Sequence, residues 1–212
     1  MEPTFISLDS SKTRSSLHRR GKIGLFQSLH FDSIGSTQDY AHELINRLDI
    51  DKTGPILITA DYQSRGRGGY GHSWLTSRRE NITATYLWSE QIDKYWRYEE
   101  IFSKANLTKR MEKIFSAMER FFAHWGLSVQ VKWPNDILIG DAKISGILSE
   151  IRSKGSTQQV QVLGIGVNVN MTKEFAQQID QKVTSIRLET NLKQDLKEVL
   201  FRLTKEITKC AE

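Results

Sequence analysis

This chain of 212 residues has one cysteine, three prolines and no long apolar run. Cys210 has no internal partner, which excludes a disulfide framework and leads to the expectation of a reducing, cytoplasmic setting. No stretch approaches the roughly 20 apolar residues that a membrane-spanning helix needs, and the first residues lack the apolar core of a secretion signal. With so little proline and no low-complexity block, no linker between independent modules is visible, and one domain with a sizeable core is expected. No helix-turn-helix pattern with its own core precedes that domain, so no element is available to carry DNA recognition.

The net charge is +5, and much of the excess sits near the start, where Lys12, Arg14, Arg19, Arg20 and Lys22 face only Glu2 and Asp9. Residues 1–24 read as a basic, flexible segment and residues 25–212 as the main domain. A basic leader also suits an acidic partner or nucleic acid, although solvation alone accounts for it.

Periodicity organises the rest. Phe26 to Phe31 reads as a strand, and Ser36 with Asp39 three residues later opens a helix whose stripe is Tyr40, Ala41, Leu44, Ile45 and Leu48. Pro55 to Ala60 reads as a strand. Between Asn81 and Ser89, Ile82, Ala84, Tyr86 and Trp88 alternate with the other residues in a period of two. A long helix is expected from Ser103 to Trp125, stopped by Gly126, and a last one from about Leu192 to Lys209. Strands are expected over Ser128 to Trp133, Ile137 to Ile139, Lys143 to Ile151 and Gln159 to Asn168, with turns at Gly140-Asp141 and Lys154-Gly155-Ser156. The fold class predicted is α+β, a mixed, largely antiparallel sheet with helices packed on one face.

Five constellations carry chemistry. Gln63 to Trp74, QSRGRGGYGHSW, places glycines and arginines between two strands; glycine lets a backbone approach a ligand, and arginine offers a planar fork to carboxylate or phosphate. Such runs also occur in disordered RNA-binding tails, and the flanking strands are what favour a binding loop here. Ser36-Thr37 lies at a helix start. Lys132-Trp133-Pro134-Asn135-Asp136 joins two strands, Lys143 to Leu148 begins the next, and Gly164 to Asn170 closes the last.

This set, in this order from about Phe26 to Leu203, resembles the catalytic domain of biotin protein ligases, including a Thr184-Ser185-Ile186 turn like that family's Thr-Ser-Leu. The resemblance implies a two-step reaction. Biotin and ATP give biotinyl-5'-AMP and pyrophosphate, and biotin then passes to a lysine of a biotin carboxyl carrier protein. It implies that Ser36, Thr37, Gln63, Gly66, Gly146, Leu148 and Gly164 bind biotin, with Arg67 and Lys143 as catalytic cations touching both substrates. Trp74, Lys132, Asn135, Asp136 and Asn168 would join these cations in binding ATP, and Asp136 is also a candidate for orienting Mg2+. Each position has a plainer reading as well: Ser36 as a helix cap, Lys143 as a solvated lysine, Trp74 as a core residue, Asp136 as an ion-pair partner of Lys132.

Two departures from the family pattern stand out. Gly69 occupies a position where a second arginine or glutamine usually helps hold the adenylate phosphate, which leads to the expectation of a loop that closes less firmly and an intermediate that escapes more readily. Nothing corresponding to the small C-terminal β-barrel of many members is visible before Glu212, and a ligase without repressor activity, monomer or homodimer, is expected. Two other readings remain: lipoate or octanoate transfer on the same scaffold, and an RG-loop RNA-binding module.

Overall fold

The structure is a computed structural model that describes residues 17–91, 104–154 and 158–211. Its strands are β1 (Leu17–Ile23), β2 (Phe26–Phe31), β3 (Ile56–Ala60), β4 (Ile82–Gln91), β5 (Gln130–Lys132), β6 (Asp136–Ile139), β7 (Ala142–Lys154) and β8 (Gln158–Val167). They form one eight-stranded sheet in the order β1-β2-β3-β4-β8-β7-β6-β5. Among the strands of the described residues, only β2 and β3 pair in parallel. The helices are α1 (Thr37–Arg47), α2 (Ile50–Thr53), α3 (Lys104–Ala123), α4 (Lys173–Ala176), α5 (Ile186–Thr190) and α6 (Leu196–Ala211).

The expected α+β class with a mixed, largely antiparallel sheet is what the chain adopts, but its helices cover both faces rather than one. Ile114, Phe115, Met118 and Phe121 of α3 and Val199, Leu203 and Ile207 of α6 share a core with Leu57, Tyr86, Trp88, Leu163 and Ile165. Tyr40, Ala41, Leu44 and Ile45 of α1, with Ile50 of α2, pack on Ile56, Ile58, Leu87, Val160 and Val162. These two sets alternate along β3, β4 and β8, and neighbouring side chains on a strand point to opposite faces. All five residues of β3 are buried, so its central position between two helical layers leaves no polar alternation to show which face is covered.

A second difference concerns the basic leader, whose last part is β1, paired antiparallel with β2 from Leu17 opposite Phe31 to Ile23 opposite Phe26. Arg19, Arg20 and Lys22 are exposed on this outermost strand. Charge on an edge strand discourages pairing with other chains, and it also hides the strand from a search for apolar alternation. Residues 1–16, with Lys12 and Arg14, lie outside the described residues, as do Ser103 and residues 155–157, on which the expected turn at Lys154-Gly155-Ser156 falls.

Local rules held elsewhere. Ser36 caps α1, its hydroxyl accepting from the Asp39 amide. Gly126 and Gly140 adopt left-handed φ values of 68° and 57°, which glycine takes at little cost where α3 has ended and where β6 turns into β7. The last helix starts at Leu196 instead of Leu192, because Leu192 to Gln194 are tied to loop positions: the Gln194 amide donates to Asn170 Oδ1 at 2.8 Å.

Candidate active site

On the face that carries α1, cross-strand register builds a floor of small residues. Thr85, Gly164 and Leu148 align across β4, β8 and β7, and Thr83, Gly166 and Gly146 form the next row. A cavity of about 670 Å³ opens above them. It is bounded by the start of α1, the glycine-arginine loop, the β5–β6 joint and residues 179–183. Ser36, Thr37, Gln63, Arg67, Trp74, Lys132, Asn135, Asp136, Lys143, Gly146, Leu148, Gly164 and Asn168 all line it.

Gly66 is the exception among the residues named from the sequence. It supports the loop from within: its carbonyl accepts from the Trp74 amide at 2.9 Å, and a Cβ there would run into the Trp74 carbonyl oxygen. Gly69 does line the cavity, opposite Asn135, whose Nδ2 would lie 3.0 Å from an added Cβ.

One end of the cavity is neutral and polar. Gln63 Oε1 accepts from the Thr37 amide at 2.7 Å and the Thr37 hydroxyl at 2.9 Å, so its Nε2 remains as a donor beside Gly66. Thr85 Oγ1 lies 2.9 Å from Thr37 Oγ1 and 3.3 Å from Gln38 Oε1. These groups are buried, and buried polar atoms persist when they are paired.

The other end is cationic. Lys143 Nζ sits 2.7 Å from Asp136 Oδ1 with its side chain 14% exposed, and 5.7 Å from the centre of the Trp74 ring. Its backbone is held on both sides, donating to Lys182 O at 2.9 Å and accepting from the Thr184 amide at 2.9 Å. The Trp74 indole lies on the floor against Gly166 and Gly146, close enough that a Cβ at Gly166 would come within 2.8 Å of Cδ2 and nearer still to Cε2 and Cζ2. Its buried Nε1 has no hydrogen-bond partner among the described residues.

Arg67 is engaged by two acids, Asp39 Oδ1 at 3.1 Å and Glu150 Oε1 at 3.3 Å. Glu150 Oε2 accepts from Gln38 Nε2 at 2.7 Å and from His42 Nε2 at 2.8 Å; an ionised carboxylate only accepts, so His42 carries its proton on Nε2. The hydrogen bond from His42 is the main cause holding the Glu150 carboxyl down from the ordinary 4.5 to about 2, with burial opposing and Gln38 and Arg67 assisting. A depressed folded-state value means that the ionised form contributes stability above pH 4.5, and that this is lost as pH falls towards 2. Glu150→Gln should therefore be destabilised relative to the parent by at most about 3 kcal/mol above pH 5, a gap that closes near pH 2. Denaturant melts of both proteins across pH 2 to 7 check this.

Glu150, Gln38, His42, Thr83 and Thr85 were not singled out from the sequence, and Gly166 was given no role within the Gly164 to Asn170 segment. Glu150 was within reach, since Gly146, Leu148 and Glu150 follow the same two-residue period along β7. His42 carried no such mark, because its partner lies 108 positions away.

Asp136 was also a candidate to orient magnesium. Its carboxylate pairs with Lys143, and among the described residues no group of three or more His, Cys, Asp or Glu side chains could hold a metal ion. The residues present do not fit a cage for Mg2+ made by the protein alone.

Several known proteins share this arrangement of chain. The bifunctional ligase/repressor BirA of Bacillus spizizenii is 30% identical over 159 residues, covering 74% of this chain and 45% of its own length. The biotin--[acetyl-CoA-carboxylase] ligase of Paracoccus denitrificans is 46% identical over 125 residues, 56% of this chain and 45% of the relative. The chain thus spans about half the length of the curated relatives it matches. The solved structure of biotin protein ligase from Aquifex aeolicus in complex with biotin and ATP superposes with a TM-score of 0.62 at 24% identity, covering 87% of this chain and 69% of that one, a likeness of fold. Residues 30–168 match the biotin/lipoate A/B protein ligase family, and the chain belongs to that family.

Proposed function

We propose that this protein activates biotin with ATP, forming biotinyl-5'-AMP and pyrophosphate, and transfers biotin to a lysine of a biotin carboxyl carrier protein. The observation that carries the reading is a single cavity lined both by the neutral hydrogen-bonding groups of Thr37, Gln63 and Thr85 and by the cations Arg67 and Lys143. A ureido ring matches the first set and a carboxylate the second. The ring of lipoate and the tail of octanoate would leave the Gln63 Nε2 donor without a partner, a mismatch that costs about 1–3 kcal/mol.

In the first step a biotin carboxylate oxygen attacks the α-phosphorus of ATP and pyrophosphate leaves. Two anions must meet, and cations set in place beforehand lower that barrier without reorganising. Lys143, fixed through its backbone and through Asp136, is assigned to the developing charge between carboxylate and phosphate, and Arg67 to the carboxylate and α-phosphate. Trp74 gives adenine a flat face, with Asn135 and Asn168 on the nucleotide side. ATP would enter as its magnesium complex, with the ion carried by phosphates and water. In the second step the carrier amine attacks the acyl carbon and AMP leaves.

Biotin-dependent exchange of pyrophosphate into ATP tests the first step, and biotin transfer to a carrier domain the second. Exchange with lipoate or octanoate in place of biotin would overturn the assignment, and so would salt-sensitive RNA binding with no turnover.

Gly69 adds no charge to the loop. Placing Gly69→Arg there should restore one charge-assisted contact of about 1.5–3 kcal/mol and slow release of the intermediate by about ten- to a hundredfold. Release measured as transfer of label to bystander lysines should fall to match; equal labelling by both proteins would count against a leaky loop.

A further inference from the structure

We propose that Glu150 is a positioning residue that holds two elements of the ligand site at once, the glycine-arginine loop and α1, and this rests on the biotin reading above. Its two carboxylate oxygens serve different elements. Oε1 meets the Arg67 guanidinium of the loop at 3.3 Å, and Oε2 takes Gln38 Nε2 at 2.7 Å and His42 Nε2 at 2.8 Å from α1. Glu150 itself is not among the residues that line the cavity, so it acts through others.

Polarity runs outward from this acid in one direction. Because an ionised carboxylate only accepts, Gln38 must turn its NH2 group to Glu150 and its Oε1 inward. There Oε1 would lie 2.6 Å from a Cβ at position 164, which only a glycine avoids, and it receives Thr85 Oγ1 at 3.3 Å. The relay stops at Thr85, because its one hydroxyl proton serves Gln38 Oε1 and the Thr37 hydroxyl proton serves Gln63 Oε1. Glu150 thus sets the orientation of Gln38, which lines the cavity beside the separately paired Thr37 and Gln63.

On the loop side, Glu150 and Asp39 engage the two terminal nitrogens of Arg67 by one contact each. A guanidinium has five N–H groups, so others stay available for an incoming carboxylate. A flexible cation becomes a preset one, which reduces the ordering cost of binding.

The test compares biotin with its uncharged carboxamide by calorimetry on the full chain. Only biotin offers Arg67 a carboxylate, so the ratio of the two dissociation constants reads Arg67, while a loss common to both reads Gln38 and the neutral groups beside it. Glu150→Gln should weaken both ligands by about tenfold and, in addition, shrink their ratio. In an Arg67→Ala background the further change in the ratio should vanish, which a merely structural role would not produce. Glu150→Asp keeps the charge but is one methylene short of spanning both elements; it should lose one of the two effects, and it serves if the glutamine variant does not fold.

Wild-type affinity for both ligands in a folded variant, or a general weakening with the ratio unchanged, overturns the proposal alone. No biotin binding by the parent chain overturns the biotin reading, and this proposal with it.

Discussion

Lys143→Gln should slow biotin-dependent pyrophosphate exchange by about 10²–10³-fold while biotin affinity changes far less, because a preset charge that acts on the transition state shows in rate more than in ground-state binding. The ammonium sits in a narrow, half-dry place, between the Asp136 carboxylate at 2.7 Å and the Trp74 face at 5.7 Å. A carboxamide preserves bulk but carries no charge to share between two approaching anions. Removing the cation also leaves Asp136 unpaired with 17% of its side chain exposed, so a drop in stability is expected alongside. The double variant Lys143→Gln, Asp136→Asn separates the two effects: it should recover stability without recovering exchange. A folded Lys143→Gln protein that exchanges within about threefold of the parent would remove Lys143 from the chemistry.

The second large effect is steric. Gly166→Ala puts a methyl group within 2.8 Å of Trp74 Cδ2 and nearer to two other ring atoms, and Gly146 supports the same ring from the next strand. An indole has no soft end to move aside, and its backbone is tied to Gly66. The ring must lift off the sheet and enter the space assigned to the nucleotide. Base stacking on an aromatic face contributes about 1–3 kcal/mol, so ATP affinity should fall by about 5- to 150-fold. Biotin affinity, governed at the opposite end by Thr37 and Gln63, should change by much less. Gly166→Ala combined with Trp74→Ala should be no worse for ATP than Trp74→Ala alone, since the methyl group then has nothing to displace. Unchanged nucleotide affinity in Gly166→Ala would mean that the indole does not form the stacking wall.

How far the chain could be read in advance depended on the range of each interaction. Ser36 as a cap, the Ile82, Ala84, Tyr86, Trp88 alternation and the stop at Gly126 follow from neighbours within a turn or two, and all appear in the fold. Helices on both faces did not follow, because Ile56, Leu57 and Ile58 are equally apolar whichever layer covers them. Strand β1 was hidden for the opposite reason: an edge strand keeps its charges.

The candidate site divides the same way. The order of the glycine-arginine loop, Lys132 to Asp136, Lys143 to Leu148 and Gly164 to Asn168 was legible because each residue type suits a local task, and these segments meet around one cavity. Which acid neutralises which cation was not legible. Asp136 pairs with Lys143, and Arg67 is held by Asp39 and Glu150. By itself the sequence determined most of the longer elements, their order and the residue types of the candidate site, because helix caps, strand periods and side-chain chemistry act over short range. The tertiary structure alone decided the pairing of charges and the seat of the Trp74 ring on Gly166, because those depend on register between strands that are far apart along the chain.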